Sequence, residues 1–391
     1  MPSQDRAAAA LAFGGLFSLA AAMGIGRFVY TPILPFMSAG LNLPAEDAGL
    51  IASANFLGYL VGAVAAASKS LPGNPRFWFL GGLLVSALTS AAMATTTALP
   101  AFLLIRFAGG AASAFVLVFS TTLVLERLNT AGRGDLSALH FAGVGCGIAF
   151  SALLVAGLGQ TGADWRVLWL ASGAATLVFL LIAARLVPGE PAGSVLAARE
   201  IGSDSGTTAP YLSGGVLRLI LAYGLFGFGY VITATFVSVI ARTTPALQST
   251  EPFVWLAVGL CAAPSIYVWN RIAARIGARR AFALACFLEA CGVALTAIAA
   301  APVLFLLGAA LLGATFMGIT ALGLIEARHQ ASPAGPAAIR RMLAILTVSF
   351  GVGQIVGPWF AGQLHDLTGS FQAPSLAAAA VLLVAAVLML R

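Results

Sequence analysis

Apolar residues run along this chain in long blocks, not in the alternating patterns of amphipathic helices or half-buried strands. Blocks separated by polar, glycine or proline breaks fall at about 11–37, 48–68, 77–95, 101–125, 136–159, 167–187, 216–240, 253–270, 281–300, 303–325, 342–363 and 374–390. About 20 helical residues cross the apolar layer of a bilayer, so each block is of membrane-spanning length. Inside that layer the backbone must satisfy its own hydrogen bonds. The pattern predicts an all-α membrane protein with twelve transmembrane helices. The first block is too long for a signal-peptide core and reads as the first span.

Composition narrows the class. Of 391 residues, 60% are hydrophobic and only 8% are charged, against about 25% charged in soluble domains. That excludes a soluble enzyme, a disordered chain and a nucleic-acid binder. Twelve spans consume about 240 residues and leave little room for a soluble domain. The net charge is +7, from 20 Lys+Arg and 13 Asp+Glu. With the N-terminus placed in the cytoplasm, 16 basic residues fall in inner loops and tails, and only Arg166 and Arg242 fall outside. This positive-inside asymmetry supports both the span count and cytoplasmic termini. Arg27 and Arg106 lie within spans. The four cysteines sit in apolar stretches with no C-x-x-C, which points to packing and not to disulfides or metal.

The longest polar stretch, 188–213, is rich in Pro, Gly, Ser and Thr and reads as a cytoplasmic linker between six-span halves at 1–187 and 214–391. The halves repeat. Gly24-Ile25-Gly26-Arg27 corresponds to Gly227-Phe228-Gly229-Tyr230 at an offset of 203, as does Arg76 to Arg279, and Gly143-Val144-Gly145 corresponds to Gly351-Val352-Gly353 at 208. Two such halves imply a pseudo-twofold axis along the membrane normal, with a site between them.

No nucleotide-binding or hydrolase signature occurs, so ATP-driven pumping and catalysis are not expected. Polar residues deep in apolar blocks are the informative ones. Arg27 lies about 24 Å along the first span and should face a partner or water, with Tyr30 and Thr31 on its face; the alternative is snorkelling to the outer headgroups. Pro32 and Pro35 should bend this span near its outer end. Arg106 opens an Arg-x3-Gly-x3-Ala pattern in the fourth span, either facing a cavity or snorkelling. His140 is a proton-relay candidate, or a packing histidine. Glu289 is the one carboxylate well inside a block, a protonation candidate or a buried neutral carboxyl. Asn55, Tyr223, Tyr230, Trp255 and Gln354 supply hydrogen-bonding and stacking groups. Together with Arg27, Tyr30, Thr31 and Arg106 they are expected to line a polar crevice, while spans 3, 6 and 12 face lipid.

At this point the sequence resembles the major facilitator superfamily over nearly its whole length. GIGRFVYTPILPFM, YGLFGFGYVITATF, GATFMGITALGLIEARH and SFGVGQIVGPW resemble its bacterial YbfB/YjiJ-like branch. The resemblance implies two pseudo-symmetric six-helix bundles alternating between inward- and outward-open states, with a monomer as the working unit. It also implies that spans 1, 4, 7 and 10 line the site, and that Arg106-Phe107-x2-Gly110-x3-Ala114 matches a fourth-span motif linked to proton coupling. The loops after spans 2 and 8 keep basic residues and lack the usual Asp, so no salt-bridge latch is expected there. The resulting expectation is a secondary transporter of the bacterial inner membrane, without cofactor. It would move a small, anionic organic solute, with proton coupling through Arg106, His140 or Glu289. The alternatives are an uncoupled facilitator and a non-transporting membrane sensor that kept the fold.

Overall fold

The structure, a computed structural model, describes residues 2–68, 71, 73–189 and 214–391. Of the expected linker, only Pro188 and Gly189 fall among them; Lys69 and Arg199 lie outside. The described residues form twelve long helices and no strand. α1 comprises Pro2–Leu19, a π-helical stretch Ala20–Ile25 and Tyr30–Leu41. α2 is Ala45–Ala66, α3 Pro75–Ala92, α4 Leu99–Ser120, α5 Ser137–Gln160 and α6 Trp165–Leu186. α7 is Gly214–Thr243, α8 Glu251–Ile276, α9 Ala278–Ile298, α10 Pro302–Ala331, α11 Gly335–Thr368 and α12 Gln372–Leu390. The even number of crossings puts both chain ends on one side, called inner below.

Local chemistry sets the helix ends. Asn74 caps α3 by accepting from the Arg76 amide at 2.8 Å, with Pro75 in the first turn, and Asp164 caps α6 by accepting from the Val167 amide at 3.0 Å. Between α10 and α11 only a 3-10 turn and Gly335, at φ 87°, interrupt a helical run from Pro302 to Thr368. The two blocks predicted there are separate helices joined almost end to end.

Helix packing repeats between the halves. In the first, α1 packs on α5 and α6, and α4 packs on α2 and α3. In the second, α7 packs on α11 and α12, and α10 packs on α8 and α9, the same pairs displaced by six. The halves meet through α2 on α11 and α5 on α8, again a related pair. α1 and α7 are the most enclosed spans, with 72% and 78% of their most apolar windows buried, whereas α6 has 33%. The expected lipid-facing role of spans 3, 6 and 12 matches exposed Phe77 and Leu88 on α3, Leu181 on α6 and Val384 on α12.

Glycine permits the closest approach of the halves. A Cβ on Gly259 of α8 would overlap the backbone of Ala149 on α5, and one on Gly145 would overlap Ala263 in return. The outer seam is held by hydrogen bonds as well: Thr31 Oγ1 donates to the Ala234 carbonyl at 2.6 Å, Ser53 Oγ to the Ile355 carbonyl at 2.6 Å, and the Glu46 amide to Asp366 Oδ2 at 3.0 Å. The outer side is therefore closed. We predict that Gly259→Val lowers stability by about 1–3 kcal/mol through overpacking. Gly157→Val, at a glycine with open space around it, should leave it unchanged. Thermal unfolding of the purified protein in detergent measures both.

Candidate functional site

The site is built around a defect in α1. Proline has no N–H to donate, so Pro32 removes a rung of the helical ladder four residues upstream. The chain loosens there: a π-helical stretch ends at Ile25, residues 26–29 form turns, and regular helix resumes at Tyr30. The Thr31 amide bonds the Phe28 carbonyl at 3.2 Å in a tightened turn. The sequence placed the bend at the outer end; the irregular segment lies earlier, on both sides of Arg27.

Two carbonyls in this segment accept from Arg106 instead. Its Nη1 donates to the Gly26 carbonyl at 3.0 Å and its Nη2 to the Arg27 carbonyl at 2.9 Å. A planar guanidinium suits this fork geometry. Arg106 is 4% exposed, which corrects the snorkelling alternative. Its ring neighbours are Tyr30 at 5.2 Å and Trp169 at 5.7 Å. Its carbonyl in turn accepts from Asn55 Nδ2 at 3.0 Å, and Tyr30 donates to the Ala48 carbonyl at 2.9 Å. Arg106, Asn55 and Tyr30 thus tie α1, α2 and α4 together around the break.

Arg27 leaves this braced segment and reaches across the seam. Its Nη2 donates to Gln354 Oε1 of α11 at 3.0 Å, and Gln354 Nε2 donates to the Tyr230 hydroxyl of α7. Its guanidinium carbon lies 4.1 Å from the Tyr59 ring centre, 4.7 Å from Phe56 and 5.5 Å from Phe28. Arg27 Nε has no hydrogen-bond partner among the described residues. Neither buried arginine forms an ion pair with a carboxylate among those residues; the described ion pairs lie nearer the helix ends, at Arg133, Arg242 and His365. Two positive charges therefore share the protein interior with carbonyls, an amide, the Tyr59 hydroxyl and aromatic faces as described partners.

The second half supplies an aromatic column. Tyr230 stacks on Phe316 at 5.7 Å and on Phe350 at 5.9 Å, Phe226 stacks on Tyr230 at 5.1 Å, and Tyr223 joins Phe350 at 5.1 Å. Tyr223 also donates to the Thr320 carbonyl at 3.0 Å. Phe28 links the column to Arg27 and lies 6.4 Å from the Trp255 ring.

The predicted crevice is not open in this arrangement. Arg27 is 4% and Tyr230 2% exposed, because the polar groups bond one another and the rings fill the space between them. Among the proton-relay candidates, His140 packs against Gly15 and lies 3.4 Å from Ser120, remote from the Arg27 group. Glu289 on α9 is fully buried, and neither of its oxygens has a hydrogen-bond partner among the described residues. Sequence reasoning missed Tyr59, Phe56, Phe316 and Phe350. Tyr59 lies one helical turn from Asn55, and that spacing was the available signal.

The sequence profile of a family described as "Uncharacterised MFS-type transporter YbfB" matches residues 19–390. No curated protein matches the chain by sequence. In three dimensions the chain is similar to the crystal structure of the nucleoside transporter NupG, with a TM-score of 0.74 at 17% identity and 98% of each chain covered. It is also similar to the crystal structure of a bacterial homologue of the human lysosomal transporter Spinster, in an inward-facing and occupied conformation. There the TM-score is 0.70 at 14% identity, covering 100% of this chain and 97% of the other. These similarities identify the fold.

The bracing role of Arg106 is directly testable. Arg106→Gln should lower stability by about 2 kcal/mol, a fraction of two charge-assisted hydrogen bonds. Arg106→Lys should recover less than half, since an ammonium lacks the planar fork. Detergent-phase unfolding of the variants beside Arg166→Gln, at an exposed arginine in the first turn of α6 that lies over the Trp165 ring, checks both statements.

Proposed function

The chain belongs to the family of YbfB MFS-type transporters, and from that premise we propose that it carries a small anionic organic solute by alternating access, with Arg27 as the anion-binding group. Family members are transporters and not enzymes, and the protein is a multi-pass membrane protein. The observation that carries the anionic reading is the bonding of Arg27. It is a buried guanidinium on the seam between the halves, held by one neutral amide, the Tyr59 hydroxyl and three ring faces, with no carboxylate partner among the described residues. A carboxylate offers such a cation two parallel, charge-assisted hydrogen bonds. Gln354 is the group it would displace, and Tyr230 the hydroxyl freed to meet it.

The proposed organisation is a first bundle at 1–187, a cytoplasmic linker at 188–213 and a second bundle at 214–391. Repeated packing of helices six apart supports it. The skew of basic residues supports an inner-membrane location with cytoplasmic termini. One chain supplies both sides of the seam, so a monomer is the proposed working unit.

Proton coupling is a second reading, favoured by Glu289. A fully buried carboxyl with neither oxygen bonded among the described residues is the group to test at that depth. Arg106 is engaged by two carbonyls and His140 by packing, so neither carries this proposal.

Thermal-shift titration with small carboxylates and shape-matched neutral amides should stabilise the purified protein with the acids alone. Arg27→Gln should raise the half-saturating concentration at least about tenfold, the loss of one charge-assisted hydrogen bond. Equal stabilisation by amides, or an unchanged Arg27→Gln, contradicts the anionic reading. In proteoliposomes, Glu289→Gln should leave counterflow of a bound acid intact and abolish accumulation driven by a pH gradient. Accumulation equal to that of the unsubstituted protein excludes Glu289 from coupling.

A further inference from the structure

We propose that Asp366 is an outer latch: a carboxylate of the second half that caps helix α2 of the first half and thereby favours the outward-closed arrangement. The proposal rests on the alternating-access part of the proposed function and is independent of its anionic part.

Helix α2 starts without a cap of its own. The first backbone N–H groups of a helix have no partner within it. A Ser, Thr, Asp or Asn just before the helix ordinarily accepts from the second or third of them. Here that position is Pro44, at φ -58° and ψ 152°, and it makes no side-chain cap bond. The missing acceptor comes from across the seam. Asp366 Oδ2 accepts from the Glu46 amide, the second of α2, at 3.0 Å. It does what a capping side chain at position 44 would do, and its charge suits the positive end of a helix.

The packing beneath this bond places it. Gly362 lies one helical turn before Asp366 on the same face of α11. A Cβ on Gly362 would overlap the Ala45 carbonyl, so the first turn of α2 rests on α11 backbone. Further in, a Cβ on Gly49 would overlap the Pro358 carbonyl, and Ser53 Oγ donates to the Ile355 carbonyl at 2.6 Å. Asp366 makes the outermost of these contacts. Its other carboxylate oxygen lies 3.0 Å from His365 Nδ1, and the His365 ring lies 4.1 Å from the Phe371 ring. Phe371 in turn packs on Phe236 of α7 at 4.6 Å. The carboxylate is thus held in place by its own half while it caps the other.

The Asp366 side chain is 36% exposed, so water can take over the α2 amides when the halves part. The latch is therefore a bias and not a lock, and one cap of this kind shifts a closed-to-open ratio about fivefold. A contact made in one arrangement and lost in the other is what such a shift requires.

The test reads opening by cysteine labelling of the ligand-free protein in nanodiscs. The four native cysteines are changed to alanine, and Ser238→Cys supplies a reporter at a seam position 1% exposed in the closed arrangement. A membrane-impermeant maleimide reaches it when the outer seam opens, so the labelling rate follows the open fraction. Asp366→Ala should raise the rate about fivefold, whereas Asp366→Asn, whose amide oxygen also caps, should stay within about twofold of the parent. Pro44→Ser gives α2 a cap in both arrangements. It should raise the rate to the Asp366→Ala level, and adding Asp366→Ala to it should raise the rate no further. An Asp366→Ala rate equal to the parent's overturns the proposal, as does a further rise in the Pro44→Ser background. So does a rise that merely tracks a falling melting temperature across the variants, because that is general loosening. A reporter that labels in the parent and ignores Asp366→Ala rejects the latch alone and leaves the proposed function standing. A reporter protected in every variant rejects the latch together with alternating access.

Discussion

A guanidinium at bilayer depth must find its partners inside the protein, and the architecture around Arg27 and Arg106 follows from that constraint. Pro32 opens the ladder of α1, and the segment that loosens presents two carbonyls to the fourth helix. Arg106 takes both with its two terminal nitrogens and fixes the backbone from which Arg27 projects. The fixed segment sends Arg27 across to α11, so the second charge is delivered to the junction between the halves. Carbonyls and the two arginines form one linked group, and removing either arginine leaves polar partners unsatisfied in the protein interior.

The same junction is where the pseudo-symmetric halves are joined and where, in the proposed alternating access, they would part. Glycines bring α5 against α8 and α2 against α11 at backbone contact, while the cross-seam hydrogen bonds among the described residues are four, two of them from side chains to backbone carbonyls. Such an interface is tight in packing and sparse in directional bonds, which suits two rigid bodies that rock past one another. At its centre, the Arg27–Gln354–Tyr230 link joins three helices, and in the proposed binding a solute carboxylate would take the place of Gln354 as acceptor for Arg27 and accept from the freed Tyr230 hydroxyl. Under that proposal, a closed seam held by replaceable bonds would give a ligand differential affinity for the opened state, the thermodynamic requirement for coupling binding to movement.

Much of the fold was legible in the sequence. Block length fixed twelve spans, and the 203- and 208-residue offsets anticipated helix pairs that recur six apart. Arg27, Tyr230 and Gln354 stood out because each is polar inside an apolar block, and the structure brings these three together. The open crevice was not legible, and the expectation of it was wrong in this arrangement. Burial of Arg27 depends on Tyr59, Phe56 and Phe28, and aromatic residues inside an apolar block carry no mark that separates a cation's cradle from ordinary packing. The bracing of Arg106 was equally hidden, since its partners are backbone carbonyls in an irregular segment of another helix. Sequence spacing reports neighbours along one helix and is silent about contacts between helices.

The central claim is that Arg27 is the anion-binding group of the seam. The most direct measurement is a structure of the protein bound to a bromine-labelled carboxylate, with the bromine located by its anomalous signal. The account predicts the carboxylate oxygens within hydrogen-bonding distance of the Arg27 guanidinium and Gln354 turned away from it. A carboxylate bound inside the bundle with the Arg27–Gln354 bond intact would contradict the account.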